Sequence, residues 1–298
     1  RVRPALFGTG CLFCTGERQS AGIAMQDFEQ VDIKDGDPVH VLHITDTHLF
    51  AAEDATLLGI NTAESLNAVI DAVLSSGRKY DFVLCTGDLS QDYSTGSYAR
   101  FAGIIKRLGK PLFWLPGNHD DGPLMYRIMP GLGISTAREI RCGRWQFLML
   151  NSQVYSAPCG YLAPDQLAFL RERLDRSDGL FSAVCLHHNV FHTESAWLDQ
   201  HDLKNTDQFK SIIYHHGMVK LVLCGHIHQN LERELGGIDY IATPSTSIQF
   251  AFGHNDFQLD RIGPGWRFID FAPDGTFSSE LFRLPAESFS PNWFSGGY

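Results

Sequence analysis

Short apolar runs organise the chain, and five of them end in a polar loop. Residues 39–45, 81–86, 111–115, 182–186 and 219–224 are each dense in aliphatic and aromatic side chains, which predicts buried strands. Between them, apolar residues recur at helical spacing. Leu66, Val69, Ile70, Val73 and Leu74 predict an amphipathic helix over 62–76, and Phe101, Ile104, Ile105 and Leu108 predict another over 97–108. Residues 164–176 and 206–216 carry the same pattern, and 139–151 predicts a hairpin turning at Gly143. From residue 230 onward the pattern becomes antiparallel, with turn signals at Gly236-Gly237 and Pro273-Asp274-Gly275. Strand–loop–helix alternation followed by hairpins predicts an α/β fold with helices layered around stacked sheets.

The 298 residues, 44% of them hydrophobic, can bury a sizeable core as one large α/β unit. A net charge of −10 gives the surface no general attraction for nucleic acid or anionic membrane. No run reaches the roughly 18–20 apolar residues that span a bilayer. Seven cysteines, an odd number without framework spacing, argue against a disulfide-stapled secreted protein. Cys85, Cys185 and Cys224 sit inside apolar runs and read as small core residues. The first well-patterned segment follows Met25, and the domain is expected to span 38–298. Residues 1–37, with the isolated Cys11-x-x-Cys14 pair, then read as an extension, either disordered or a mis-called start. These features together predict a soluble cytoplasmic protein; oligomeric state cannot be read from them.

The chemistry lies just past the strands. The first is followed by Asp46-x-His48, the second by Gly87-Asp88 and the third by Gly117-Asn118-His119-Asp120. The fourth is followed by His187-His188 and the fifth by Gly225-His226-x-His228. In α/β sheets, ligands collect in the crevice beyond the carboxyl ends of the strands. Singly each motif is weak, but five in succession point to a metal centre. Two carboxylates, one amide oxygen and four imidazoles make a mixed O/N donor set without thiolate, suited to Mn, Fe or Zn rather than Mg or Ca. Seven donors exceed one tetrahedral ion. They fit two divalent ions roughly 3.5–4 Å apart that share a carboxylate, and Asp88 on the central loop is the choice for the bridge. With a bridging hydroxide the cluster keeps about one net positive charge, a local focus for phosphate on an acidic protein.

At these residues the sequence resembles the calcineurin-like metallophosphoesterases, with their D-x-H, G-D, G-N-H-D/E, H and G-H-x-H motifs. Further segments resemble the bacterial class III 3′,5′-cyclic-AMP phosphodiesterases within that superfamily. They are 44–50 (ITDTHLF), 57–65 (LLGINTAES), 86–92 (TGDLSQD), 114–120 (WLPGNHD), 196–205 (AWLDQHDLKN), 224–229 (CGHIHQ), 242–250 (ATPSTSIQF) and 263–267 (GPGWR). The resemblance covers residues 38–298 and implies a four-layer α/β/β/α sandwich. It places Asp46, His48, Asp88 and His228 on one ion, and Asp88, Asn118, His187 and His226 on the other, with Fe and Mn as the implied metals. His119 matches the family histidine that contacts the phosphate and protonates the leaving oxygen. His48, Asp88, Asn118, His119 and His228 would border bound AMP. Many relatives have proline soon after the fourth-motif histidine, whereas Asn189-Val190 stands here; strand-end position favours His187 over His188 as the ligand.

The expected reaction is hydrolysis of cyclic AMP to 5′-AMP, a metal-bridging hydroxide attacking phosphorus in line with the 3′ oxygen and His119 acting as general acid. Asp92 or Asp120 is the candidate partner of His119. The segment 197–201 is a candidate cap, with Trp197 placed to stack on a base. Alternatives are another phosphoester substrate, a nuclease (disfavoured without a basic stripe) and a non-catalytic scaffold, disfavoured because all seven ligand positions are filled.

Overall fold

The computed structural model describes residues 27–297. A seven-stranded sheet is built from β1 (Phe28–Val31), β5 (Glu139–Cys142), β6 (Trp145–Met149), β7 (Phe181–Cys185), β8 (Val219–Cys224), β10 (Ile238–Ala242) and β9 (Leu231–Leu235), in that spatial order. A five-stranded sheet follows the order β12 (Phe277–Arg283), β11 (Gly265–Phe271), β2 (Val39–Ile44), β3 (Phe82–Cys85) and β4 (Leu112–Trp114). Helices α1 (Thr62–Ser75), α2 (Thr95–Ile105) and α3 (Gly122–Ile128) cover the smaller sheet, and α4 (Pro164–Asp175) and α5 (Thr206–Ile213) cover the larger.

Alternation along each strand decides which side chain enters which layer. Phe82 and Leu84 of β3 face the core between the sheets, while Val83 and Cys85 face the helices. Leu221 and Leu223 of β8 enter the same inter-sheet core, while Val222 and Cys224 face α4 and α5. The four-layer α/β/β/α sandwich is the expected one. Cys85, Cys185 and Cys224 are buried and unpaired, as core residues.

The register brings strand ends together. Ile44 pairs with Cys85, and Cys85 with Trp114, so three consecutive parallel strands stop at one level. Cys185 lies beside Leu223, and Cys224 beside Ala242, in the facing sheet.

One expectation is corrected. β1 falls inside the stretch assigned to an extension, yet it pairs in parallel with β5 from Phe28↔Glu139 to Val31↔Cys142. Val31 and Ile33 pack into the inter-sheet core, so the domain starts before residue 38. Four residues between charged neighbours are too short for periodicity to reveal. The readings of residues 1–26, including the Cys11/Cys14 pair, lie outside the described residues. No described helix is long and apolar enough to cross a membrane.

Candidate metal centre

All seven residues expected to bind metal converge beyond the strand ends. From the smaller sheet come Asp46 and His48 after β2, Asp88 after β3 and Asn118 after β4. From the larger come His187 after β7, and His226 and His228 after β8. Five of them, Asp46, His48, Asp88, His226 and His228, have φ between 46° and 67°. Left-handed backbone costs roughly 1–2 kcal/mol per non-glycine residue, and Asp and His tolerate it better than most. Concentrated strain of this kind is a mark of functional loops. At His226 it takes the form of a γ-turn, with Ile227 N donating to Gly225 O at 2.8 Å. The loops also approach closely. A Cβ at Gly117 would collide with the Asp88 side chain, and one at Gly225 with Thr45 and Asp46.

The donor atoms face inward. Asp88 Oδ2 lies 3.3 Å from His187 Nε2 and 3.7 Å from His48 Nε2, between histidines of the two sheets. His228 Nε2 is 3.3 Å from Asp46 Oδ1 and 3.1 Å from His48 Nε2. Asn118 Oδ1 is 3.0 Å from His187 Nε2. Asp46, His48 and His228 form one compact ligand group, and Asp46, Asp88 and His187 a second. His188 joins His187 and His226 in a third, so both members of the His187-His188 pair stand at the site.

The outward nitrogens are held. His187 Nδ1 donates to Thr86 O at 2.7 Å, and His228 Nδ1 to Ile248 O at 2.9 Å. The buried Nε2 atoms of His188 and His226 have no hydrogen-bond partner in the protein. Phe250 stacks on the His228 ring at 4.2 Å between centroids. Ring orientation fixed by such contacts is what a metal-binding histidine requires.

Electrostatics agree. Burial opposes charge on Asp46 and Asp88, yet the imidazoles around them hold both carboxyls below the ordinary range. Burial also opposes protonation of His187, but Asp88 and then Asp46 lift it to about 9. Two buried carboxylates thus draw positive charge into the pocket, and the donor set suits divalent transition ions.

His119 lies beside the cluster, its backbone N donating to Asp88 Oδ1 at 2.8 Å. The two carboxylates expected as its partners are engaged by neighbouring donors. Asp120 accepts from Leu89 N, Ser90 N, Gly117 N and Tyr98 Oη, while Asp92 accepts from Ala51 N, Ser90 Oγ and Ser94. Gln91 reaches the His119 ring, Nε2 to Nδ1 at 3.3 Å. It lies three residues past Asp88, a spacing that offered the only sequence clue.

The cluster opens into a cavity of about 240 Å3. Asp88, Asn118, His119 and His226 line it together with Trp197, Leu198, His201, Phe250 and Phe257, and the aromatic wall meets the cluster where Phe250 stacks on His228. Trp197 meets Phe250 and Phe257 edge-on at 5.0 and 5.3 Å. The expected cap is therefore part of the cavity wall.

A buried chain underlies Asp46. Thr45 Oγ1 donates to Asp46 Oδ2 (2.7 Å) and Thr86 Oγ1 donates to Thr45 Oγ1 (2.9 Å). His43 Nε2 must then donate to Thr86 (2.9 Å), leaving His43 Nδ1 to accept from Thr243 Oγ1 (2.7 Å). Val39 and Val41 alternate inward with His43 on β2, and that alternation was the available signal.

A four-layer sandwich with an Asp/His cluster at the strand ends of both inner sheets defines a metal-dependent phosphoesterase. The chain belongs to the calcineurin-like phosphoesterase family, whose model matches residues 39–230. It is 42% identical over 261 residues to the 3′,5′-cyclic adenosine monophosphate phosphodiesterase CpdA of Escherichia coli K12, covering 87% of this chain and 95% of that protein. It is 36% identical over 260 residues to CpdA of Pseudomonas aeruginosa, with the same coverage of each. Among solved structures, a dimetal phosphatase from Danio rerio superposes with a TM-score of 0.55 at 12% identity, over 83% of this chain and 99% of that one, a likeness of fold alone.

Proposed function

We propose that the protein hydrolyses 3′,5′-cyclic AMP to 5′-AMP at this centre. The observation that carries the reading is a single cavity joining an Asp/His cluster to an aromatic wall: the cluster suits a phosphodiester, the wall a base and sugar. Similarity to proteins named cyclic-AMP phosphodiesterases supports it.

Asp46, His48, Asp88 and His228 would hold one divalent ion, and Asp88, Asn118, His187 and His226 the other. Fe and Mn are the proposed metals, and Zn also fits the donors. Bound there, the ions would supply Lewis-acid polarisation of phosphate and lower the pKa of water. The residues do the positioning. Asp88 links the two halves of the cluster, and Asn118 and His119 reach the cavity from the same loop. His48, Asp88, Asn118, His119 and His228 border the phosphate, and His119 is the proton-bearing group facing the departing 3′ oxygen. Among the described cysteines none is paired and four are buried, a habit that fits the cytoplasmic compartment proposed for the activity.

The test is turnover of cyclic AMP beside cyclic GMP and bis(p-nitrophenyl) phosphate by wild type and His119→Ala. Loss of a general acid costs roughly 10²–10⁴-fold with the alkoxide leaving group. p-Nitrophenolate departs without help, so the aryl diester should lose far less. Wild-type cyclic-AMP turnover in His119→Ala would refute the role of His119, and a protein turning over only the aryl diester would refute the substrate.

A further inference from the structure

We infer that Gln91 is a positioning residue that fixes the tautomer of His119, keeping the ring proton on Nε2. The inference rests on the reading that His119 faces the departing oxygen. Gln91 stands between two rings that meet edge-on, His48 and His119, whose centroids are 5.2 Å apart. Its Oε1 lies 2.6 Å from His48 Nδ1, and its Nε2 lies 3.3 Å from His119 Nδ1. Its own backbone is anchored, Gln91 N donating to Leu49 O at 2.8 Å.

The polarity of this bridge follows from its fixed end. His48 Nε2 points into the cluster, 3.7 Å from Asp88 Oδ2 and 3.1 Å from His228 Nε2. A histidine whose Nε2 offers a lone pair to a metal carries its proton on Nδ1, so His48 Nδ1–H donates to Gln91 Oε1. That leaves the amide NH2 facing His119. An NH2 only donates, so His119 Nδ1 must accept, and in the neutral ring the proton resides on Nε2.

A carboxylate at this position would draw the proton of His119 onto Nδ1, and the neutral ring would then present a lone pair at Nε2. Glutamine therefore makes neutral His119 a hydrogen-bond donor toward the departing oxygen, and the metal ligand His48 sets that polarity.

Gln91→Glu is the informative substitution, because the carboxylate can still accept from His48 Nδ1–H. With Zn bound, 15N shifts of the His119 ring should report Nδ1 unprotonated and Nε2 protonated in wild type, and the reverse in the neutral ring of Gln91→Glu. Both proteins should retain the same zinc content. Cyclic-AMP turnover by the variant should fall about 10–100-fold, the scale of a lost supporting contact at a metal site, with bis(p-nitrophenyl) phosphate within a few-fold. Unchanged ring shifts in the variant, or equal losses on both substrates, overturn the inference while leaving the role of His119 intact. Cyclic-AMP turnover insensitive to His119→Ala identifies a failure of the functional reading instead.

Discussion

Two kinds of residue line the cavity: Asp88, Asn118, His119 and His226 on one hand, Trp197, Leu198, Phe250 and Phe257 on the other. The first group rides on tight loops at the ends of paired strands. Asp88 and His226 hold left-handed backbone, and beside them the Nδ1 atoms of His187 and His228 are tied to backbone carbonyls. The second group comes from loops and a short helical turn, Leu198–Gln200, and its rings meet edge-on. Trp197 Nε1 is buried with no partner in the protein. The difference separates two tasks. On the proposed reading, chemistry would rest on tightly held loops and recognition on packing that adjusts more easily.

The first group should break hardest. Asp88→Asn removes the carboxylate lying between His48 and His187. Charge stabilisation at such a site amounts to several kcal/mol, so kcat/KM for cyclic AMP should drop about a thousandfold, with fewer than two ions bound. A variant that keeps both ions and falls less than tenfold would remove Asp88 from the bridging role. The aromatic group should give a smaller and different loss. Stacking of a base on an aromatic ring contributes roughly 1–3 kcal/mol, so Trp197→Ala should raise KM for cyclic AMP about 10–100-fold while kcat changes little. Bis(p-nitrophenyl) phosphate, which has no base, serves as the control. If both substrates suffer equally, Trp197 braces the loop and does not recognise the nucleotide.

The same division explains what could be read from the chain. Apolar runs gave the strands because a buried strand leaves few alternatives, and the polar residues after each run gave the cluster because metal donors are few in kind. Gln91 escaped because an amide bridging two histidines has no motif of its own; the carboxylates beside it, Asp92 and Asp120, drew attention and are spent on backbone N–H groups and hydroxyls. Phe250 and Phe257 escaped because aromatic residues in an irregular segment look like any core residue. β1 escaped because four residues carry no period, and only the exposed edge of β5 gives them a place.

The smallest effect at neutral pH lies beneath the first group. His43 is fully buried between the sheets, and its pKa is lowered to about 3, chiefly by burial and then by Arg267. In the unfolded chain it would titrate near the ordinary value, about 6.5. Below that pH the unfolded state takes up a proton that the folded state refuses. The contribution of His43 is thus fully present above pH 6.5 and is lost as pH falls toward 3, at about 1.4 kcal/mol per unit. Other buried histidines titrate as well, so the readout is a difference. Urea unfolding of wild type and His43→Leu should show a gap that narrows by about 2 kcal/mol between pH 7 and pH 5. The variant starts less stable, because Thr243 and Thr86 lose their partner, and only the slope carries the argument. Parallel slopes would mean that His43 is protonated in the folded protein. The chain of donors would then no longer run from Thr243 to Asp46, and the first group would rest on a charge instead of on oriented hydroxyls.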